Sequence, residues 1–317
     1  MTKTRWLILV IVIAAVVALA FLADHLHPTP TYEGRTTAEW MMEAIKNSPR
    51  QNPQAIFALR QIGEPAVLEL ARMVEDEDSK LKRQLVLWSE KIPTLEQLVS
   101  SSHWYRLFAA KVLATLGPDA KNAIPALEKM AASSDDMLQR AAQAALICIR
   151  QEPLEPYIKL YQEHSGKKSA RMFGLLMELG PAAKTAIPVL LGELESTNSR
   201  IRLTAVNVLG SVGVESPECV APLIKRLSDT NETVRLCVIG ALGNFGGLAR
   251  PAFSKVSTFI EDENPQLRSS ALCCLWRAAA KEDLIPYRVI IENATNDVDA
   301  TVKTFAEMIL NDKLDKP

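Results

Sequence analysis

Apolar side chains recur along the second half of the chain with the spacing of one helix face. With Arg235 as position zero, apolar residues fall at −1, +3, +6, +7 and +10, namely Val234, Val238, Ala241, Leu242 and Phe245. These offsets lie on one stripe of a helix with 3.6 residues per turn. The same offsets carry apolar residues when zero is moved 33 residues back to Arg202, or 33 residues on to Arg268. The pattern predicts a series of equivalent amphipathic helices.

The register continues outside this region, with zero at Asn52, Arg106, Gln139, Ser169 and Asp299. A second helix is predicted after each of these helices. A glycine first provides the left-handed C-cap, as at Gly117, Gly180 and Gly213. A proline then stands near the first turn of the next helix, as at Pro125, Pro188 and Pro222. Two-helix units of this kind bury their apolar stripes by stacking on their neighbours.

The fold class predicted is therefore all-α, an α-α superhelix over residues 37–317. The spacing from Asn52 to Arg106 is too long for one unit, and residues 78–101 are interpreted as a degenerate or inserted unit. A capping box at Thr36 to Glu39 predicts an N-terminal cap helix that covers the open end of the stack. Its apolar side chains are Trp40, Met41, Met42 and Ile45.

The first residues form a separate segment. Residues 6–22 are an uninterrupted apolar run, about 25 Å long as a helix, and Lys3 and Arg5 lie in the short cytoplasmic region 1–5 before it. We favour a signal anchor of the inner membrane with the repeats on the extracytoplasmic side. The alternative is a signal peptide cleaved after Ala20, which would leave the protein exported. Residues 23–36 are predicted to be a tether.

Charge and cysteine usage narrow the function classes. The chain has 36 basic and 37 acidic residues, so it lacks the basic excess typical of a nucleic-acid binder. The five cysteines show no metal-site spacing and are interpreted as small buried thiols. His25 and His27 are the only closely spaced histidines. No catalytic motif is found, so we expect no enzymatic activity, no cofactor and no metal.

The spelling Asp229, Val234-Arg235, Ala241-Leu242-Gly243 and Gly246 resembles HEAT repeats, in the short bacterial form first named for phycobilin lyases. With its Tyr32-x-Gly34-Arg35…Trp40 opening and its apolar leader, the chain is similar to exported HEAT-repeat proteins of Verrucomicrobia-like bacteria. The resemblance implies a hydrogen-bonded ladder between units, in which Asp229 pairs with Arg235. The Arg column of this ladder would be Arg106, Arg202, Arg235 and Arg268, interrupted at Gln139 and Ser169.

Positions +1, +5 and +8 of the Arg-bearing helices are unusually small and apolar for an outer face. They include Leu203, Asn207, Leu236, Cys273 and Trp276. One interpretation is tight packing between units. The other is a concave binding face with Trp276 as its anchor. The leading functional hypothesis is a monomeric scaffold that binds a protein or peptide. The alternative is an accessory or lyase-like enzyme component, and a nucleic-acid binder is disfavoured.

Overall fold

The computed structural model describes residues 31–45, 52–76, 102–163 and 166–314. The chain divides into two compact units, the first ending at Lys129 and the second beginning at Met130. The predicted membrane segment 6–22, most of the tether and the degenerate unit 78–101 lie outside the described residues. Except for one short hairpin, the regular structure of the described residues is helical, as expected.

The first unit begins with a hairpin that the sequence did not predict. Strands β1 (Thr31–Tyr32) and β2 (Arg35–Thr36) pair antiparallel, within the range assigned to the tether. The two turn residues, Glu33 and Gly34, have φ values of 50° and 74°. Positive φ at both positions is the geometry that closes a two-residue hairpin. Strands this short leave no alternating pattern to detect.

Five helices follow the hairpin. They are α1 (Thr37–Ile45), α2 (Pro53–Ile62), α3 (Glu64–Glu75), α4 (Ser102–Leu116) and α5 (Ile124–Ala131), which crosses into the second unit. Helix α1 packs on α2, α3 and α4 and buries Trp40 and Met41, as expected of a cap. Met42 was also predicted to cover the stack, but its side chain is 39% exposed.

The second unit contains twelve helices among the described residues. They are α6 (Asp136–Arg150), α7 (Glu155–Gln162), α8 (Gly166–Leu179), α9 (Ile187–Glu193), α10 (Ser199–Val212), α11 (Val220–Arg226), α12 (Glu232–Asn244), α13 (Phe253–Ser257), α14 (Pro265–Ala278), α15 (Lys281–Leu284), α16 (Arg288–Ala294) and α17 (Ala300–Ile309). Short 3₁₀ segments join several of them, and a π-helical turn, Leu310–Leu314, follows α17.

These helices stack in single file. The first row consists of α6, α8, α10, α12, α14 and α17, and each of these helices packs on the next. Helices α9, α11, α13 and α16 form a second row, and each contacts the first-row helix that follows it. The core register is the predicted one: Leu209, Leu242 and Leu275, all at position +7, are fully buried. Each helix therefore buries its stripe against its neighbours.

Polar side chains start the first-row helices. Asp135, Asn198, Asn231, Asn264 and Asp299 are N-cap residues whose side chains accept hydrogen bonds from backbone N–H groups of the first turn. Glycines end some of them in the predicted left-handed conformation, with φ of 51° at Gly180 and 55° at Gly246. Gly213 differs, because its φ is −90°. A Cβ there would lie 2.8 Å from the Cys219 sulfur, so lack of space requires this glycine.

One described stretch, Ala170–Glu193, is long and apolar enough to cross a membrane by length and composition. It joins the end of α8, a 3₁₀ segment and α9. Ala183 inside it has non-helical dihedral angles, with φ −90° and ψ 21°. Leu176 and Leu190 of the stretch are fully buried in the core. We therefore assign this stretch to the repeats.

Candidate interaction surface

The arginine column is built by one recurring contact. Arg202, Arg235 and Arg268 lie on the first turns of α10, α12 and α14. Each guanidinium Nη1 donates to the carbonyl oxygen six residues earlier, with N–O distances of 2.9, 3.0 and 2.9 Å. These bonds hold the loop that enters each helix. Arg106, in the first unit, instead donates from Nε to the Val74 carbonyl oxygen at 2.9 Å.

The predicted pairing of Asp229 with Arg235 is wrong. The Asp229 carboxylate accepts two hydrogen bonds from Arg202, of the preceding helix, at 2.8 and 2.7 Å. Its Oδ1 also accepts the backbone N–H of Asn231 at 2.9 Å. Arg235 therefore reaches only the backbone carbonyl of Asp229. The pair joins Arg202 to the unit that follows it.

Asp297 completes a second rung that sequence reasoning missed. Arg268 donates to it twice, at 2.8 and 2.7 Å. A signal was present, because Asp297 follows Arg268 by 29 residues, much as Asp229 follows Arg202 by 27. The equivalent pair between these two, Arg235 with Asp262, does not form among the described contacts. The Asp262 carboxylate accepts the Asn264 N–H at 2.9 Å, and Arg235 donates to the Asp229 carbonyl oxygen instead.

The rungs are charge-assisted and well shielded. Side chains of Arg202 and Asp229 are 9% and 1% exposed. Hydrogen bonds from Arg202 hold the pKa of Asp229 below its usual value, and those from Arg268 do the same to the pKa of Asp297. Their geometry matches bidentate guanidinium–carboxylate pairs. Both carboxylates are committed to joining units, so we assign the ladder a structural role.

The predicted outer face contains an open surface, which we call the uncharged strip. It consists of Leu203, Asn207, Leu236, Gly240, Cys273 and Trp276. These residues lie at positions +1, +5 and +8 of α10, α12 and α14, which share one side of each helix. Gly240 is exposed and the other five are partly buried. Because the three helices pack side by side, the strip crosses all of them.

Two +8 positions do not belong to the open surface. A Cβ at Gly210 would lie 3.0 Å from the Ala241 Cβ, and one at Gly243 would lie 3.3 Å from the Cys274 Cα. Both glycines are buried where neighbouring helices approach closely. The packing interpretation therefore holds at these positions. At Gly240 a Cβ would meet nothing within 4 Å, so that position is open.

Trp276 is less free than an anchor residue should be. Its ring packs against the core, and its indole Nε1 donates to the Asp312 carboxylate in the π-helical turn at 3.4 Å. Its remaining exposed part forms one end of the strip. Asn207 and Gly240 occupy the middle of the strip, so they are better positions for testing it.

All five thiols lie among the described residues and none forms a disulfide. Cys219 and Cys274 are buried, and burial raises the pKa of each thiol to about 12. Burial also raises the pKa of Cys148 to about 11. Thiols that stay protonated at neutral pH are poor nucleophiles and poor metal ligands. Within the described residues, no group of three His, Cys, Asp or Glu side chains could hold a metal ion.

A shallow groove also lies in the first unit. It is lined by Arg35, Ala38, Glu39, Met42, Glu43 and Tyr105. Hydrogen bonds from the Thr36 backbone and hydroxyl groups lower the pKa of Glu39 in a capping box. These contacts explain Glu39 as part of a helix start rather than as an acid or base.

A family model described as HEAT repeats matches residues 187–276. This segment holds α9 to α13 and most of α14, with Arg202, Arg235, Arg268 and the uncharged strip. This part of the chain therefore matches the HEAT-repeat pattern. No curated protein matches the sequence.

Several solved structures are similar at low identity. An archaeal HEAT-like repeats protein from Thermococcus onnurineus is 15% identical over 77% of this chain and 97% of its own, with a TM-score of 0.38. The complex of CpcE and CpcF of phycocyanin lyase from Nostoc is 19% identical over 84% of this chain and 98% of its own, with a TM-score of 0.34. A structure of computationally designed armadillo repeat proteins for modular peptide recognition is 15% identical over 87% of this chain and 99% of its own, with a TM-score of 0.35. Similarities this distant say nothing about activity or partners.

Proposed function

We propose that this HEAT-repeat chain is a non-catalytic, membrane-tethered scaffold that binds a protein or peptide along its uncharged strip. Residues 6–22 would hold a single copy in the inner membrane with the repeats on the extracytoplasmic side. The observation that carries the binding role is the strip itself. Three adjacent helices present small or apolar side chains, with Gly240 exposed at the centre.

The strip suits a protein partner for two physical reasons. It lacks charge, which is typical of the desolvated centre of protein interfaces. It is also carried on helices that contact one another directly, and the Arg202–Asp229 pair joins α10 to the loop that enters α12. A surface held in this way is pre-organised and costs little ordering on binding.

The arginines favour a protein over a nucleic acid as partner. The guanidinium groups of Arg202 and Arg268 donate hydrogen bonds to carboxylates and carbonyl oxygens of the repeats. They are not free to contact phosphates, which supply most of the affinity in nucleic-acid binding. The strip itself contains no basic side chain.

The test begins with the full chain in its native membrane. A photo-reactive amino acid at Asn207 captures the partner, and mass spectrometry identifies it. Binding of that partner is then measured for Gly240→Arg and for the matched control Gly192→Arg. Gly192 is also a helical glycine whose Cβ would meet nothing within 4 Å, but it lies on α9, in the other row of helices.

We expect Gly240→Arg to weaken binding by at least about tenfold, because a bulky charge would stand in the desolvated centre of the contact. Gly192→Arg should bind like the wild type. Equal binding by the wild type and Gly240→Arg, with both folded by circular dichroism, would show that the strip is not the binding site.

A further inference from the structure

We propose that the aromatic cap of the first unit lies against the membrane surface, with the Phe57 side chain in contact with lipid. The aromatic cap consists of Tyr32, Arg35, Trp40 and Phe57. This inference rests on the proposed membrane tether and adds a second point of contact between the folded chain and the bilayer.

The cap is a fixed arrangement of side chains. The Trp40 indole N–H donates to the Tyr32 carbonyl oxygen at 3.0 Å, which holds the hairpin on α1. The Tyr32 ring lies 6.5 Å from that of Trp40 and 6.4 Å from that of Phe57, in an edge arrangement with the latter. The Arg35 guanidinium lies 4.9 Å above the Trp40 ring. The hairpin, α1 and α2 therefore present one surface.

Phe57 stands out on this surface. The residues on either side of it, Ile56 and Ala58, are buried in the core, whereas Phe57 is 55% exposed. One edge of its ring meets Tyr32 and the rest faces outward. A single exposed apolar side chain is common on soluble proteins. What gives this one significance is its distance from the apolar run.

The chain length sets that distance. The apolar run ends at Leu22 and the hairpin begins at Thr31, so eight residues separate them. Eight residues span at most about 28 Å when fully extended. The headgroup layer occupies several ångströms of that distance. The aromatic cap is therefore the described part of the chain closest along the sequence to the bilayer. Tyr and Trp are enriched at membrane interfaces, and Phe side chains bury at the boundary between headgroups and acyl chains.

Charges near the cap point to contact through the aromatic ring rather than through electrostatics. Arg35 and Arg60 are balanced by Glu33, Glu39 and Glu43. A mixed set of this kind has no strong attraction for anionic lipids, which require clustered basic residues. We therefore expect the contact to form with a zwitterionic lipid alone.

The experiment uses the full chain reconstituted in vesicles of phosphatidylcholine. Phe57→p-benzoyl-phenylalanine places a photo-crosslinker of similar shape in the cap. The control has the same crosslinker at Val289, which is 69% exposed on α16 in the second unit. After irradiation, mass spectrometry measures the fraction of chain that carries a covalent lipid adduct. A carbonate wash measures membrane integration separately.

The expected result is an integrated chain with several-fold more lipid adduct at residue 57 than at residue 289. An integrated chain with no excess at residue 57, or with crosslinks there only to protein, overturns the cap contact and leaves the tether standing. A chain released by carbonate overturns the tether and the cap contact together. None of these results depends on the uncharged strip, so the binding role is tested independently.

Discussion

Asp229 carries a charged side chain that is buried between two repeat units. Its carboxylate is almost fully shielded and accepts bonds from Arg202 and from the Asn231 backbone. Removing one member of a buried ion pair leaves the other charge without compensation. The energetic role of the ladder can therefore be tested at this position.

We expect Asp229→Asn to lower the free energy of unfolding by about 3 kcal/mol, because Arg202 loses its counter-charge while the amide still accepts the Asn231 N–H. Asp262→Asn is the matched control, since Asp262 bonds the equivalent Asn264 N–H but not Arg235. The control should change stability by less than about 0.5 kcal/mol. Urea unfolding followed by circular dichroism measures both. Equal losses in the two variants would contradict a special role for the pair.

The ladder also makes stability depend on pH. Arg202 and Arg268 hold the pKa values of Asp229 and Asp297 below the ordinary value of 3.8. As pH falls through 3.8 the unfolded chain takes up protons before the folded chain does. The contribution is therefore complete above that pH and is lost as pH falls through the folded pKa values. Urea midpoints from pH 6 to pH 3 should fall less steeply for Asp229→Asn/Asp297→Asn than for the wild type. Parallel slopes would contradict this.

At the scale of helices, glycines separate two roles that the sequence could not distinguish. Gly210 and Gly240 both lie inside first-row helices and both were predicted on an outer face. A Cβ at Gly210 would lie 3.0 Å from the Ala241 Cβ, whereas a Cβ at Gly240 would meet nothing within 4 Å. The difference depends on how neighbouring helices cross, which no single helix pattern encodes.

This contrast gives a prediction for two alanine variants. Gly210→Ala should lower stability by about 1 kcal/mol, because overpacking against Ala241 outweighs the gain in helix propensity. Gly240→Ala should raise stability by up to about 1 kcal/mol, since only the propensity gain applies. Thermal and urea unfolding measure both. If Gly210→Ala were as stabilising as Gly240→Ala, α10 and α12 would not be in close contact.

Local patterns predicted the helices better than the contacts between them. The +7 leucines follow from spacing within one helix, and they lie where expected. The partner of Asp229 did not follow, because a side chain before a helix can turn toward either neighbouring unit. The hairpin at Thr31–Thr36 was missed because its strands have two residues each.

At the scale of the whole molecule, single-file stacking restricts how far a local change is felt. In the second unit each first-row helix packs on the next, and a second-row helix contacts the one that follows it. Stability in such an array is a sum of unit and nearest-neighbour terms. A defect at one rung should therefore loosen the adjoining helices more than those several units away.

Hydrogen exchange in the Asp229→Asn variant tests this expectation. Amides of α10 and α12, which the Arg202–Asp229 pair connects, should lose the most protection relative to the wild type. Amides of α6 and α17 should lose less, because the helices between them and the defect keep their own contacts. Asp262→Asn should leave the protection of all four helices close to that of the wild type. A uniform loss across α6, α10, α12 and α17 in Asp229→Asn would mean that the second unit opens as one cooperative block, since only a shared opening reaction exposes distant helices equally.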